Sequence, residues 1–175
     1  KEIFGRIADI DKRRFINGKI VIENGHITDI VETDTPVEDY ILPGFIDSHV
    51  HIESSMLTPS AFSRLAAPHG TIACVCDPHE IANVNGIDGV EYMITDSKNQ
   101  PLKLYFTVPS CVPATPFETS GAILDPDHVN RLLRRPEIVG LGEMMNFPGV
   151  INGGPGVIKK IRHARSHNIP IDGHA

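Results

Sequence analysis

Short apolar runs recur along most of this chain at the spacing of a strand–helix unit, and that rhythm restricts it to few folds. The runs cover residues 46–52, 72–76, 102–108, 138–141 and 169–171, a repeat of roughly 25–35 residues. Helix signals fill the gaps. Thr58-Pro59 and Asp125-Pro126 each set a capping oxygen before a proline, whose missing N–H costs nothing in a first helical turn. Pro155 opens a further helix in the same way. Val129, Leu132 and Leu133 share one helix face, as do Val157, Ile161 and Ala164. Residues 86–97 read as a weaker helix striped by Val90, Met93 and Ile94. Alternating strands and helices imply an α/β class with a parallel sheet covered by helices. Both an open doubly wound sheet and a β/α barrel satisfy the pattern.

Before residue 42 the style differs. Residues 15–22 and 26–31 are apolar stretches on either side of Asn24-Gly25, a pair that readily takes the left-handed conformations of a tight hairpin. This part is expected to be small antiparallel β structure. The 175 residues, 41% of them hydrophobic, suffice for a buried core. A net charge of −6 argues against a nucleic-acid partner, whose footprint is a basic face. No apolar run reaches the ~18 residues of a membrane span. Cys74, Cys76 and Cys111 are an odd count with no CxxC spacing, which suits a reducing cytoplasm better than a disulfide framework.

The ends of the strands carry the chemistry. In the run from Phe45 to Ser55, strand alternation sends His49, His51 and Glu53 to one side. Two imidazoles at i and i+2 can hold one divalent ion through bonds of ~2.0–2.1 Å; a half-exposed strand that happens to carry two histidines is the plainer reading. The second strand ends in Asp77-Pro78-His79-Glu80, the fourth in Gly142-Glu143 and the fifth in Asp172-Gly173-His174. Any one of these could be a cap or a satisfied buried group. Four together point to the C-terminal face of a β/α barrel, where such folds build their sites. Cys74 and Cys76 share a face of a buried strand and read as small core residues. His26, His128, His163 and His167 read as surface groups, His69 as a C-terminal cap, and Lys159 and Lys160, with the arginines around them, as solvated helix surface.

The stretch Leu42-Pro43-Gly44-Phe45-Ile46-Asp47-Ser48-His49-Val50-His51 resembles the first-strand signature of the amidohydrolase superfamily. Three further motifs, His51-Ile52-Glu53-Ser54-Ser55, residues 77–84 and residues 109–121, together with residues 140–149, are similar to those of microbial adenine deaminases within it. Ser48 stands where that signature more often has glycine. The resemblance implies an N-terminal β segment, residues 1–42, as part of a small β-sandwich. Residues 43–175 would then be the first part of a (β/α)8 barrel, about five βα units. It implies two divalent ions, Mn2+ or Fe2+ with Zn2+ an alternative. His49 and His51 would bind the first, Glu143 would bridge, and His174 would bind the second. Glu53, His79, Glu80 and Ser110 fall in the family-specific motifs: His79, Glu80 and Ser110 toward the substrate, Glu53 and Glu80 as candidates for ring protonation or accessory metal binding.

The implied reaction is hydrolysis of adenine to hypoxanthine and ammonia. Two ions ~3.5–4 Å apart acidify a shared water, and the resulting hydroxide attacks C6. The ring nitrogen must gain a proton as the tetrahedral centre forms. Zinc-type base deaminases use H-x-E followed by P-C-x-x-C, and Pro109-Ser110-Cys111-Val112-Pro113 lacks the second cysteine. A complete barrel needs eight units, typically ~250 residues, so the chain is expected to be an inactive fragment of a homo-oligomeric cytoplasmic enzyme. Two alternatives stay open: an amidohydrolase acting on another cyclic amidine or amide, and a non-catalytic metal-binding module.

Overall fold

Asn24 and Gly25 both take positive φ, 51° and 78°, the geometry that closes a two-residue hairpin with the right twist. This is seen in a computed structural model that describes residues 1–115 and 117–174. Pro116, inside the 109–121 motif, and Ala175, the last residue of the expected barrel segment, lie outside the described residues. The chain divides into two units, Lys1–Gly44 and Phe45–Ala175.

In the first unit the hairpin joins β2 (Arg14–Glu23) to β3 (His26–Glu32), and β1 (Glu2–Asp9) lies antiparallel along the other side of β2. Ile7, Ile16 and Ile20 form its small core, with Ile22 and Ile41 packed against them. The expectation of purely antiparallel structure is corrected here. β4 (Tyr40–Ile41) runs parallel to β1, pairing Tyr40 with Arg6 and Ile41 with Ile7. The link of residues 33–39 is long enough to return over the sheet, which a two-residue turn cannot do.

The second unit holds β5 (Phe45–Val50), β6 (Thr71–Cys76), β7 (Lys103–Val108), β8 (Ile138–Met144) and β9 (Ile171–Gly173). They are parallel and lie side by side in chain order. Cys74, Cys76, Leu104, Phe106, Val108 and Leu141 pack into the main core, together with Val90, Met93, Ile94, Val129, Leu132 and Ala164 from the helices. Cys74 and Cys76 are fully buried, so they are core residues, and burial pushes both thiols above their ordinary pKa.

The expected caps are present. Thr58 Oγ1 accepts from the N–H of Ala61 at the start of α1 (Pro59–Ala66). Asp125 accepts from the N–H groups of Asp127 and His128 at the start of α3 (Pro126–Leu132). Pro155 begins α5 (Pro155–Ser166), preceded by the short α4 (Phe147–Ile151). The helix expected over 86–97 starts earlier: α2 spans His79–Asp96, with a kink at Gly86 (φ 60°, ψ −139°).

A flat five-stranded sheet would separate its edge strands by roughly 19 Å at ~4.8 Å per strand. Yet His49 on β5 and Asp172 on β9 approach to 3.2 Å. The sheet therefore curls strongly, and this decides between the two closures: the unit is a half-barrel with its strand ends gathered on one rim.

Candidate metal centre

β5 carries His49, and the chain leaves the strand at Val50, so His51 sits one residue beyond it. Even so, the two imidazoles converge, their Nε2 atoms 3.0 Å apart. Glu143, near the end of β8, brings Oε1 to 2.9 Å from His49 Nε2 and 3.8 Å from His51 Nε2. Its other oxygen lies 3.1 Å from Nδ1 of His174, just past β9. The carboxylate thus stands between the imidazole pair and the third histidine.

The far side of each ring fixes what the near side offers. His51 Nδ1 lies 2.9 Å from the Asp77 carbonyl, which can only accept, so Nδ1 carries a proton and Nε2 is turned toward the cluster. His49 Nδ1 lies 3.2 Å from Asp172 Oδ2, a carboxylate that likewise accepts, so its Nε2 is turned inward in the same way. Two imidazole nitrogens and a carboxylate oxygen therefore face one another. Such a cluster is held together by positive charge, which a bound cation or a proton on a ring would supply. The donor set fits a divalent ion, and the outer partners are those that orient metal-binding imidazoles.

A second group of side chains adjoins His51. The rings of His51 and His79 meet edge to face with centroids 4.7 Å apart. Glu80 Oε2 is 3.4 Å from His51 Nδ1 and 3.8 Å from His79 Nε2, and Glu80 Oε1 accepts from the Ser54 hydroxyl at 2.8 Å. His51, His79 and Glu80 together could also hold a cation. The Asp77 carboxylate, 3.8 Å from His79 Nδ1, raises the pKa of that ring; burial opposes this, and Glu80 and Glu143 add to it.

Glu53 departs from the strand-alternation expectation. It lies in a 3-10 turn, Ile52–Ser55, and its Oε1 accepts from the Ile81 N–H at 3.2 Å. The turn directs it toward Glu80 rather than alongside His49. Burial raises its pKa, backbone donors oppose that, and the charge of Glu80 adds to the rise.

Ser110 is 2% exposed. Its hydroxyl donates to the backbone carbonyl of Glu143, so it stands behind the cluster. Lys160, expected on a solvated helix face, is half-buried instead and donates to the Ser110 carbonyl at 2.8 Å. A cleft of about 640 Å³ opens beside the cluster, lined by His49, Thr107, Gly140, Glu143, Ile171 and Asp172 among others.

Sequence reasoning named His49, His51, His79, Glu80, Glu143 and His174, and the fold brings all six together on one rim. It gave no role to Asp77 or Asp172. Both stand directly after an apolar run and were read among the strand-end groups, but their contacts with His51, Glu143 and His49 follow only from the fold.

The chain belongs to the metal-dependent amidohydrolase family, which its residues 40–175 match. Over 175 residues it is 56% identical to the adenine deaminase of Methanosarcina mazei, covering 100% of this chain and 32% of that protein. Similarity to the adenine deaminase of Sulfurovum sp. is 55% identity over 174 residues, 99% of this chain and 33% of the relative. With that of Parabacteroides distasonis it is 54% over 172 residues, 98% and 32%. The chain spans about a third of the length of these curated relatives.

Proposed function

We propose that this chain carries the metal-binding rim of an adenine deaminase, a hydrolase converting adenine and water to hypoxanthine and ammonia. One observation carries the reading: the convergence of His49 Nε2, His51 Nε2 and Glu143 Oε1 within 3.8 Å. His49, His51 and Glu143 would hold one divalent ion, and Glu143 and His174 a second, as Mn2+ or Fe2+. Bound there, the ions would supply an acidified water as nucleophile at neutral pH.

The chain's own groups do the remaining work. Burial, with the charge of neighbouring Glu80, raises the pKa of Glu53, which suits it to protonate a ring nitrogen of the purine, and Glu80 beside it is the second candidate. His79, its pKa raised beside Asp77, is a hydrogen-bond donor toward the substrate. Ser110 acts on the substrate through Glu143, whose backbone it holds. In this reading residues 1–42 are part of a small β-sandwich, and the enzyme is a cytoplasmic homo-oligomer of purine salvage. No helix among the described residues is long and apolar enough to cross a membrane.

The test is ammonia release from adenine, guanine and cytosine by a polypeptide of the relatives' length that contains this chain. Adenine alone should react, and His49→Ala should reduce the rate to background. Equal turnover of guanine or cytosine would replace the substrate assignment while leaving the metal site standing.

A further inference from the structure

Asp77 is 2% exposed, a level at which an aspartate is expected to be fully engaged. Placed directly after β6, it joins that strand end to those of β5 and β8. Its N–H donates to the Val50 carbonyl at 3.0 Å, at the end of β5. Its carbonyl receives His51 Nδ1 at 2.9 Å. Its carboxylate reaches across to β8, where Oδ2 accepts from the Glu143 N–H at 2.9 Å. The remaining oxygen, Oδ1, is buried with no hydrogen-bond partner among the described residues and faces His79.

The path of the carboxylate is kept open by a missing side chain. A Cβ on Gly142 would collide with Asp77 Oδ2 and stand 2.7 Å from Thr107 Oγ1. Gly142 has no positive φ to explain its identity. The space next to Glu143 is reserved for this carboxylate.

We infer that Asp77 is the positioning residue of the metal centre: its side chain fixes the backbone of Glu143, while its main chain fixes the proton position and orientation of His51. Two donors from strands that are not neighbours are thereby held in register by one residue. This rests on the metal-site reading above. Partners of this kind around a metal typically matter 10–100-fold in affinity.

The test titrates Mn2+ into the full chain by calorimetry and, separately, measures the thermal melting of the metal-free chain. Asp77→Ala should weaken Mn2+ binding by about 10–100-fold. Asp77→Asn, which keeps an oxygen for the Glu143 N–H, should recover most of that loss. Gly142→Ala, which leaves Asp77 in place but displaces its carboxylate, should weaken binding as Asp77→Ala does; it carries the test should Asp77→Ala not fold. A lowered melting temperature with unchanged Mn2+ affinity in these variants would make Asp77 a purely structural residue and overturn the inference. So would the loss of one bound ion in both Asp77→Ala and Asp77→Asn, which would make it a ligand. If the wild type binds Mn2+ no better than His49→Ala, the metal-site reading itself falls.

Discussion

His49 and His51 were readable because side-chain direction on a strand follows from sequence spacing alone. Asp77 was not, because its role depends on a contact with Glu143, 66 residues away, and on the empty space at Gly142. Lys160 misled for a related reason: a long cationic side chain on a polar helix looks solvated until the loop it touches, at Ser110, is in place. Asp125 lies at the legible extreme, since the cap is written in Asp125-Pro126 itself. The N–H groups of His128 and Asp127 hold its carboxyl below the usual carboxylate range, the first being the larger effect. A depressed carboxylate stabilises the fold above its unfolded pKa, ~3.9, and that contribution is lost as pH falls through the lower folded value. Melting curves at pH 6 and pH 3 should therefore show a larger loss for the wild type than for Asp125→Asn, which caps without titrating. Asp125→Ala should cost about 1 kcal/mol at pH 7.

At the scale of elements, β2, β3, β5 to β9 and three of the helices follow their sequence signals within a few residues, β1, β4 and α4 had no signal read for them, and α2 is the informative exception. Its first turns, from His79 to the kink, carry His79 and Glu80 toward the rim. A helix segment whose inward side chains serve a polar site has no apolar stripe to announce it. Gly86 then adopts a conformation open only to glycine, and its Cβ position lies 3.0 Å from the Ala122 Cβ. The kink turns the polar first part of α2 away from the axis of the buried second part, where Val90, Met93 and Ile94 pack. Gly86→Ala should destabilise the chain by about 1–3 kcal/mol. Urea unfolding checks this, with a lowered midpoint and an unchanged slope as the expected result. The 3-10 turn over Ile52–Ser55 is a second element that spacing did not reveal. It ends at Met56 in the left-handed region (φ 59°), a position with no glycine to mark it.

At the scale of the whole molecule, periodicity supplied the βα repeat but could not choose the closure, which depends on how far successive strands rotate. The 3.2 Å approach of His49 to Asp172 settles that choice. The second unit also leaves Phe45, Ile46 and Ile72 60%, 64% and 51% exposed, large apolar side chains on two adjoining strands. An environment-sensitive dye such as anilinonaphthalene sulfonate should fluoresce with the native chain, since exposed apolar patches bind it. Ile46→Glu with Ile72→Glu should reduce that signal while leaving the melting temperature within a few degrees; unchanged fluorescence would count against these side chains as the binding patch. The strand order has a consequence in time as well. Because the five strands follow chain order, the donors of the rim are made in sequence, and His49 precedes Asp172 by 123 residues. At ~5–20 residues per second of synthesis, the imidazole pair exists for on the order of ten seconds before its last partner is made. On the proposed metal-site reading, an ion met before Glu143 is made would find the imidazole pair without the carboxylate that faces it, so loading is expected to follow the closing of the strands.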